Sequence, residues 1–346
     1  RVLVVDDSMV CSKLISWILG SDPDIEVIGC ASNGIEGIAM IRELNPDVVT
    51  MDINMPGMDG YEATRHIMET QPLPIVIVSV SFVASDVAQI FRALEAGAVA
   101  AVEKPPGPES PAHAALAQTI IDTVKAMAEV RVVRRWARVH TGTPTPQTKQ
   151  LPRPPDEIRL LAIGASTGGP PALHDVLAGL PKPCPIPVLI VQHISAGFAH
   201  GLAEWLGTTG IPVHIAQHGV IVQPGIAYLA PDGQQMSIGS DYRIVCTNDA
   251  PEHGLCPSAS YLFRSVARHF GAHAAGVLLT GMGTDGADAL KLMRDAGAVT
   301  FAQDKESSTV HGMPGEAIRL EAAVHIASPH GIAALLRPLL TRKPEP

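Results

Sequence analysis

Ser166 lies in the run Gly164-Ala165-Ser166-Thr167-Gly168-Gly169-Pro170-Pro171, directly after the apolar stretch 158–163. A serine between glycines at a strand-to-helix turn is lifted clear of the sheet edge at little steric cost, beside the free amides of the helix start. Such a place suits a nucleophile, and equally an N-cap serine in a glycine-rich turn. Hydrolysis by serine needs a base to take the hydroxyl proton and a carboxylate to orient that base. His193 closes the apolar stretch 187–192, and Asp285 lies in Thr280-Gly281-Met282-Gly283-Thr284-Asp285-Gly286 after 274–279. All three therefore follow strand carboxyl ends, which lie along one rim of a parallel sheet. Two other readings of the same loop stay open. Gly164-x-Ser166-x-Gly168 also satisfies the α/β-hydrolase elbow, whose order of serine, acid and histidine would call on Asp232 or Asp285 with His311, His325 or His330. A dinucleotide loop fits less well, since Ser166 replaces its second glycine and no acid closes the next strand.

A second constellation lies upstream. Asp6 and Asp7 follow the strand-like residues 2–5, Asp52 follows 47–51, Ser79 ends 74–80, and Lys104 precedes Pro105 beyond 98–102. Three carboxylates in one crevice repel one another, and the remedies are a raised pKa or a hard cation such as Mg²⁺ held by oxygens. With a lysine and a hydroxyl at neighbouring strand ends, they make a site for a phosphoryl group carried on a carboxylate.

The elements that position these groups read as two runs of alternating strand and helix. Strands are predicted at 2–5, 25–30, 47–51, 74–80 and 98–102, with an amphipathic helix over 112–130. The second run predicts strands at 158–163, 187–192, 213–216, 226–229, 243–246 and 274–279, with helices over 169–180, around Phe198, Leu202 and Trp205, and over 257–270. The expected fold class is α/β, with two doubly wound parallel-sheet domains over 1–128 and 157–346, joined by a basic, Pro-rich linker over 129–156. In that linker Arg131, Arg134, Arg135 and Arg138 surround Trp136, and Pro144, Pro146, Pro152, Pro154 and Pro155 follow. Proline at this density makes a stiff, extended tether, and the arginines are expected to lie against acidic domain surface.

Composition agrees. The 346 residues are 46% hydrophobic and only 4% aromatic, a Val/Ile/Leu/Ala/Gly balance that suits buried parallel strands. The net charge of −9 is unevenly spread: residues 1–130 carry −11, residues 131–156 carry +5 and residues 157–346 carry −3. Neither domain offers the basic face of a nucleic-acid binder, which argues against a transcription factor and for no nucleic-acid partner. No apolar run of 18 residues and no charged-then-apolar leader is present, so a cytoplasmic protein without membrane insertion is expected. The five cysteines form no CxxC pair and are expected to be reduced, buried apolar groups.

Two resemblances cover nearly the whole chain. Val-Val-Asp6-Asp7-Ser8, Met51-Asp52-Ile53-Asn54-Met55-Pro56-Gly57-Met58-Asp59-Gly60 and Lys104-Pro105 resemble a two-component response-regulator receiver, which has a flavodoxin-like fold. The resemblance implies that Asp52 accepts phosphate from a histidine kinase. It also implies that Asp6, Asp7, Asp52 and the Asn54 carbonyl hold Mg²⁺, and that Ser79 and Lys104 contact the phosphoryl group. Ala101 stands where many receivers carry an aromatic switch residue, so a switch of that kind is not expected.

The second half, through Gly164-Ala-Ser166-Thr-Gly-Gly-Pro, Val191-Gln192-His193-Ile194, Gly281-Met282-Gly283-Thr284-Asp285-Gly286 and Gln303-Asp304 through Gly312-Met313-Pro314, is similar to the chemotaxis protein-glutamate methylesterase (CheB-type) family. That resemblance implies a Rossmann-like α/β serine esterase domain with a Ser166, His193, Asp285 triad. Thr167 would lie near the histidine, and backbone amides around Met282 or His193 would be oxyanion donors. It implies methyl-accepting chemoreceptors as substrate, methanol as product, deamidation of receptor glutamines as a second activity, and no cofactor for the ester chemistry. The receiver is further expected to cover the Ser166 rim until Asp52 is phosphorylated. Where many relatives carry a basic residue immediately before Pro257-Ser258, this chain has Cys256. A non-catalytic receiver adaptor with a structural Ser166 is the rival from another class.

Overall fold

The computed structural model describes residues 1–79, 84–130, 157–252 and 254–341, and for 84–88 the backbone only. Residues 131–156 lie outside that set, and with them Arg131, Arg134, Arg135, Arg138, Trp136 and the linker prolines. Two compact units divide the chain, Arg1–Gly142 and Thr143–Pro346.

Unit one runs β1 (Val2–Val5), α1 (Met9–Leu19), β2 (Val27–Ala31), α2 (Gly34–Leu44), β3 (Val48–Met51), α3 (Gly60–Thr70), β4 (Ile75–Ser79), α4 (Ala84–Ala96), β5 (Ala100–Glu103) and α5 (His113–Ala128). Ser8, Asn33 and Asp59 stop the preceding loops and start α1, α2 and α3, each accepting an amide of the first turn on its side chain. The strands form one parallel sheet in the order β2-β1-β3-β4-β5. Residues Val2–Val5, Val48–Met51 and Ile75–Ser79 are buried throughout, as strands covered on both faces must be. The connection reverses between β1 and β3, and the crevice beyond their carboxyl ends is where Asp6, Asp7 and Asp52 stand.

Unit two runs β6 (Leu160–Ala165), α6 (Gly169–Gly179), β7 (Val188–Gln192), α7 (Ala199–Gly207), β8 (Val213–Ile215), β9 (Ala227–Leu229), β10 (Gln235–Ile238) and β11 (Ile244–Thr247). It continues through α8 (Ala259–Phe270), β12 (Ala274–Leu278), α9 (Ala287–Asp295), β13 (Val299–Gln303), α10 (Met313–Arg319), β14 (His325–Ala327) and α11 (Pro329–Thr341). Seven of these strands form a parallel sheet in the order β14-β13-β12-β6-β7-β9-β8, so β6 lies between β7 and β12. The three strands that end at Ser166, at His193 and before Asp285 are therefore immediate neighbours.

Both main sheets are parallel, as expected. A separate antiparallel hairpin, β10 with β11, is an addition to that expectation. Gln235-Met236-Ser237-Ile238 carries two polar residues and no strong strand former but Ile238, and its pairing is made by Ile244–Thr247 across the turn. The cysteine expectation needs correcting: all five are free, but only Cys184 is buried, and Cys30 is exposed on the edge strand β2. Among the described residues, no helix is long and apolar enough to cross a membrane.

Candidate functional sites

Register brings the nucleophile and base candidates together. Ala165 of β6 pairs with Gln192 of β7, so Ser166 and His193 are each the first residue beyond adjacent strand ends. Gln192 ties them further, its buried side-chain amide donating to the carbonyls of both Ser166 (2.8 Å) and His193 (2.7 Å). The elbow closes through Gly168, whose φ of 74° and whose contact with Thr309, 2.3 Å from where a Cβ would lie, both require glycine. Among the described residues no hydrogen bond joins the Ser166 hydroxyl to His193, a contact that in unliganded hydrolases commonly tightens only when substrate is bound.

His193 faces Asp285, with ring Nε2 2.9 Å from carboxylate Oδ2, and this leaves Nδ1 as the proton acceptor. Asp285 is 2% exposed and takes three further donors from the start of α8: the Ser258 hydroxyl (2.8 Å) and the amides of Ala259 (2.6 Å) and Ser260 (3.1 Å). Burial opposes ionisation of this carboxyl, but the bond to His193 and those to Ser258 and Ser260 outweigh it and hold the group well below the usual carboxylate range. An ionised carboxylate therefore stands ready to stabilise an imidazolium.

The turn carrying Met282 is latched by the 303–313 segment. Gln303 accepts the Thr280 amide (2.8 Å), Thr280 donates its hydroxyl to the Thr167 carbonyl (2.9 Å), and Gly281 bonds Val310, Gly312 and Met313 through its backbone. A Cβ on Gly281 would lie 2.7 Å from the Ser166 Cβ and 2.2 Å from the Met313 sulfur, so only glycine lets this turn approach the elbow. Thr167 is half-buried, and its carbonyl is held by that turn. Of the two expected oxyanion donors, the His193 amide is committed to the Ala165 carbonyl (2.9 Å), and Met282 is exposed.

The hydrolase-order alternative loses its histidines. His325 stacks on Phe301, His330 pairs with Asp175, His311 contacts the Ser308 hydroxyl, and Asp232 accepts the Gly197 amide. None of these contacts joins the three histidines to Asp285. Sequence reasoning missed Gln192, Ser258, Ser260, Thr280 and Gln303. For Gln192, Thr280 and Gln303 the available signal was a polar residue at the buried end of an apolar strand, which needs a partner there; Ser258 and Ser260 belong to the start of α8 and carried no such signal.

In unit one Asp6, Asp7 and Asp52 bring ligand atoms within 4.8 Å of one another, Asp7 from the exposed side and the others buried. Lys104 is buried between them, its Nζ 2.7 Å from Asp6 Oδ2 and 3.0 Å from Asp52 Oδ2. Burial pushes the Asp52 carboxyl up in spite of Lys104, and Lys104 is itself raised, because the two carboxylates outweigh its desolvation. The Ser79 hydroxyl is buried at the end of β4 with no hydrogen-bond partner among the described residues. Asn54 is exposed two residues beyond Asp52, and Ala101 is half-buried in β5. Oxygen-only donors of high negative charge fit Mg²⁺.

Lys104→Met leaves two buried carboxylates without their cation, and is expected to destabilise unit one by about 3–5 kcal/mol at neutral pH. Because folding raises the Asp52 pKa, protonating Asp52 relieves the folded state, so the deficit should shrink as the pH falls. Calorimetry of the full chain in chelator at several pH values checks this, and a deficit that does not change with pH would exclude Asp52 as its source.

Comparison with known proteins places these sites in a family. The family model described as CheB methylesterase matches residues 161–336, and that described as Response regulator receiver domain matches residues 2–115. A protein-glutamate methylesterase/protein-glutamine glutaminase of Nitrosospira multiformis is 51% identical, covering 100% of this chain and 98% of the relative. One of the same name from Geobacter metallireducens is also 51% identical, covering 99% of each. The crystal structure of the Thermotoga maritima CheB methylesterase catalytic domain superposes with a TM-score of 0.50 at 29% identity, covering 52% of this chain and 97% of that domain. The chain thus belongs to the CheB methylesterase family, in the form that carries a response regulator receiver domain ahead of the methylesterase domain.

Proposed function

We propose that this protein is a phosphorylation-regulated serine esterase that hydrolyses the γ-methyl esters of glutamates on methyl-accepting chemoreceptors, releasing methanol, and deamidates receptor glutamines by the same chemistry. The observation that carries the reading is the His193–Asp285 hydrogen bond of 2.9 Å at the strand end paired with the Ser166 elbow. Ser166 Oγ attacks the ester carbonyl as His193 Nδ1 takes the hydroxyl proton. The oxyanion that forms faces the turn of Met282, with the Met282 amide as donor. Collapse expels methoxide, which leaves as methanol with the proton from His193. Water, deprotonated by His193, then cleaves the acyl-serine and frees the glutamate. For a glutamine the leaving group is ammonia. Acyl transfer of this kind calls for no cofactor.

Asp52 is the phosphoacceptor in this reading, and a histidine kinase the donor. Asp6, Asp7, Asp52 and the Asn54 carbonyl would hold Mg²⁺, which supplies positive charge against the phosphoryl oxygens when bound. Lys104 and the buried Ser79 hydroxyl, which has no partner among the described residues, would contact the phosphoryl group once it is on Asp52. A cytoplasmic location goes with these partners.

The test is methanol release from methylated receptor membranes, with and without acetyl phosphate. Release that rises with the phosphodonor supports the reading. Asp52→Asn is expected to abolish that rise, and a rise retained in the variant would remove Asp52 from the role. An absence of any release would favour the non-catalytic adaptor.

A further inference from the structure

Ser258 lies outside the triad, is fully buried and has no surface to offer a substrate. Its hydroxyl nonetheless donates to Asp285 Oδ1 at 2.8 Å. The four donors to this carboxylate divide evenly. Oδ2 receives His193 Nε2 and the Ala259 amide, and Oδ1 receives the Ser258 hydroxyl and the Ser260 amide. The two donors on Oδ1 prevent rotation of the carboxylate about its Cβ–Cγ bond, and so keep Oδ2 turned towards the histidine. We propose that Ser258 is a positioning residue of the triad, whose hydroxyl holds the Asp285 carboxylate in the orientation that His193 needs.

Two further contacts keep that hydroxyl in place. The buried Gln235 side chain accepts the Ser258 amide at 2.9 Å, which fixes the backbone from the hairpin strand β10. The Tyr261 amide donates to the Ser258 oxygen at 3.3 Å, so the single hydroxyl proton is left for an acceptor. Two acceptors compete for it, Asp285 at 2.8 Å and Glu252 Oε2 at 3.5 Å. Arg264 pairs with the other oxygen of Glu252, offsetting the rival's negative charge, and the shorter bond to Asp285 keeps the proton. Ser260 contributes through its backbone, while its hydroxyl accepts from the Gly286 amide (2.7 Å) and donates to Asp288 (3.0 Å), pinning the turn that carries Asp285.

The inference rests on the esterase reading of Ser166, His193 and Asp285, and the rival explanation is local. Ser258 is also the N-cap of α8, so its loss could act through helix stability alone. Alanine removes both the cap and the hydroxyl, glycine removes the hydroxyl while keeping most of the cap, and threonine keeps both. Wild type, Ser258→Ala, Ser258→Gly and Ser258→Thr full-length proteins are compared by methanol release from methylated receptor membranes, by the rate of fluorophosphonate labelling at Ser166, and by thermal unfolding. The expected result is a fall in kcat of about 10- to 100-fold in both the alanine and the glycine variants, the range for a lost hydrogen bond to a charged group, with KM little changed. Labelling should slow in parallel and the threonine variant should recover. A glycine variant as active as wild type, or activities that follow the unfolding temperatures, would reduce Ser258 to a helix cap and overturn the proposal. Failure of the wild type to release methanol would strike instead at the esterase reading, and the labelling rates would still rank the variants.

Discussion

Ser166→Ala is expected to lower methanol release by a factor on the order of 10⁴ or more, with the fold and the unfolding temperature intact. The size follows from the roles. Without the hydroxyl no acyl-enzyme forms, and what remains is the binding of substrate beside a preorganised oxyanion turn. The neutrality for stability follows from the structure, since the side chain at 166 is half-exposed at the strand end and the elbow is held by backbone bonds, from the Ser166 amide to Thr280 and from the Gly169 amide to Ser166. Fluorophosphonate labelling gives a second measure, because the label should be lost in Ser166→Ala and strongly slowed in His193→Ala. Substantial esterase activity in Ser166→Ala would mean that another group is the nucleophile.

Asp285→Asn is expected to cost about 10⁴ in kcat and, unlike the first variant, to cost stability as well. The carboxylate accepts four donors, from His193, Ser258, Ala259 and Ser260. An asparagine oxygen can serve only part of that set, and its amide nitrogen then points donor against donor, either at the start of α8 or at the histidine. At the histidine the ring is left without the charge that stabilises its protonated form. The pH dependence has a definite sign. Folding lowers the Asp285 pKa, so the folded state binds its proton less readily than the unfolded chain. Its contribution to stability is fully present above the unfolded value of about 4, and is lost as the pH falls through the folded-state value. The stability gap between wild type and Asp285→Asn should therefore be widest at neutral pH and begin to narrow below about pH 4. Chemical unfolding at a series of pH values measures it, and a gap that widens on acidification would show that the carboxylate is not held ionised by its neighbours.

Much of this protein was legible in the chain because the relevant physics is local. Strands covered on both faces read as apolar runs, and the glycines of the 164–169 and 281–286 turns mark sharp exits from them. Ser166, His193, Asp285, Asp6, Asp7, Asp52 and Lys104 could be singled out because each follows such a run, and functional groups of parallel sheets collect at those ends. The hairpin β10–β11 was only half visible, since Gln235–Ile238 owes its strand geometry to a partner and not to its own composition.

What the sequence determined by itself is the strand ends beside the candidate site residues and the chemistry they carry, because both depend on neighbours a few residues apart; the strands β10, β13 and β14 were not read from it. What only the tertiary structure decided is which of those groups meet. The sheet order puts β7 and β12 on either side of β6, and so gives Asp285 to His193 and not to His311, His325 or His330. The carboxylate's remaining donors, from residues 258–260, come from the start of a helix some 26 positions earlier in the chain, and the amide that joins Ser166 to His193 comes from Gln192. A buried carboxylate or amide must find partners wherever the fold supplies them, and no periodicity in the chain records where that will be.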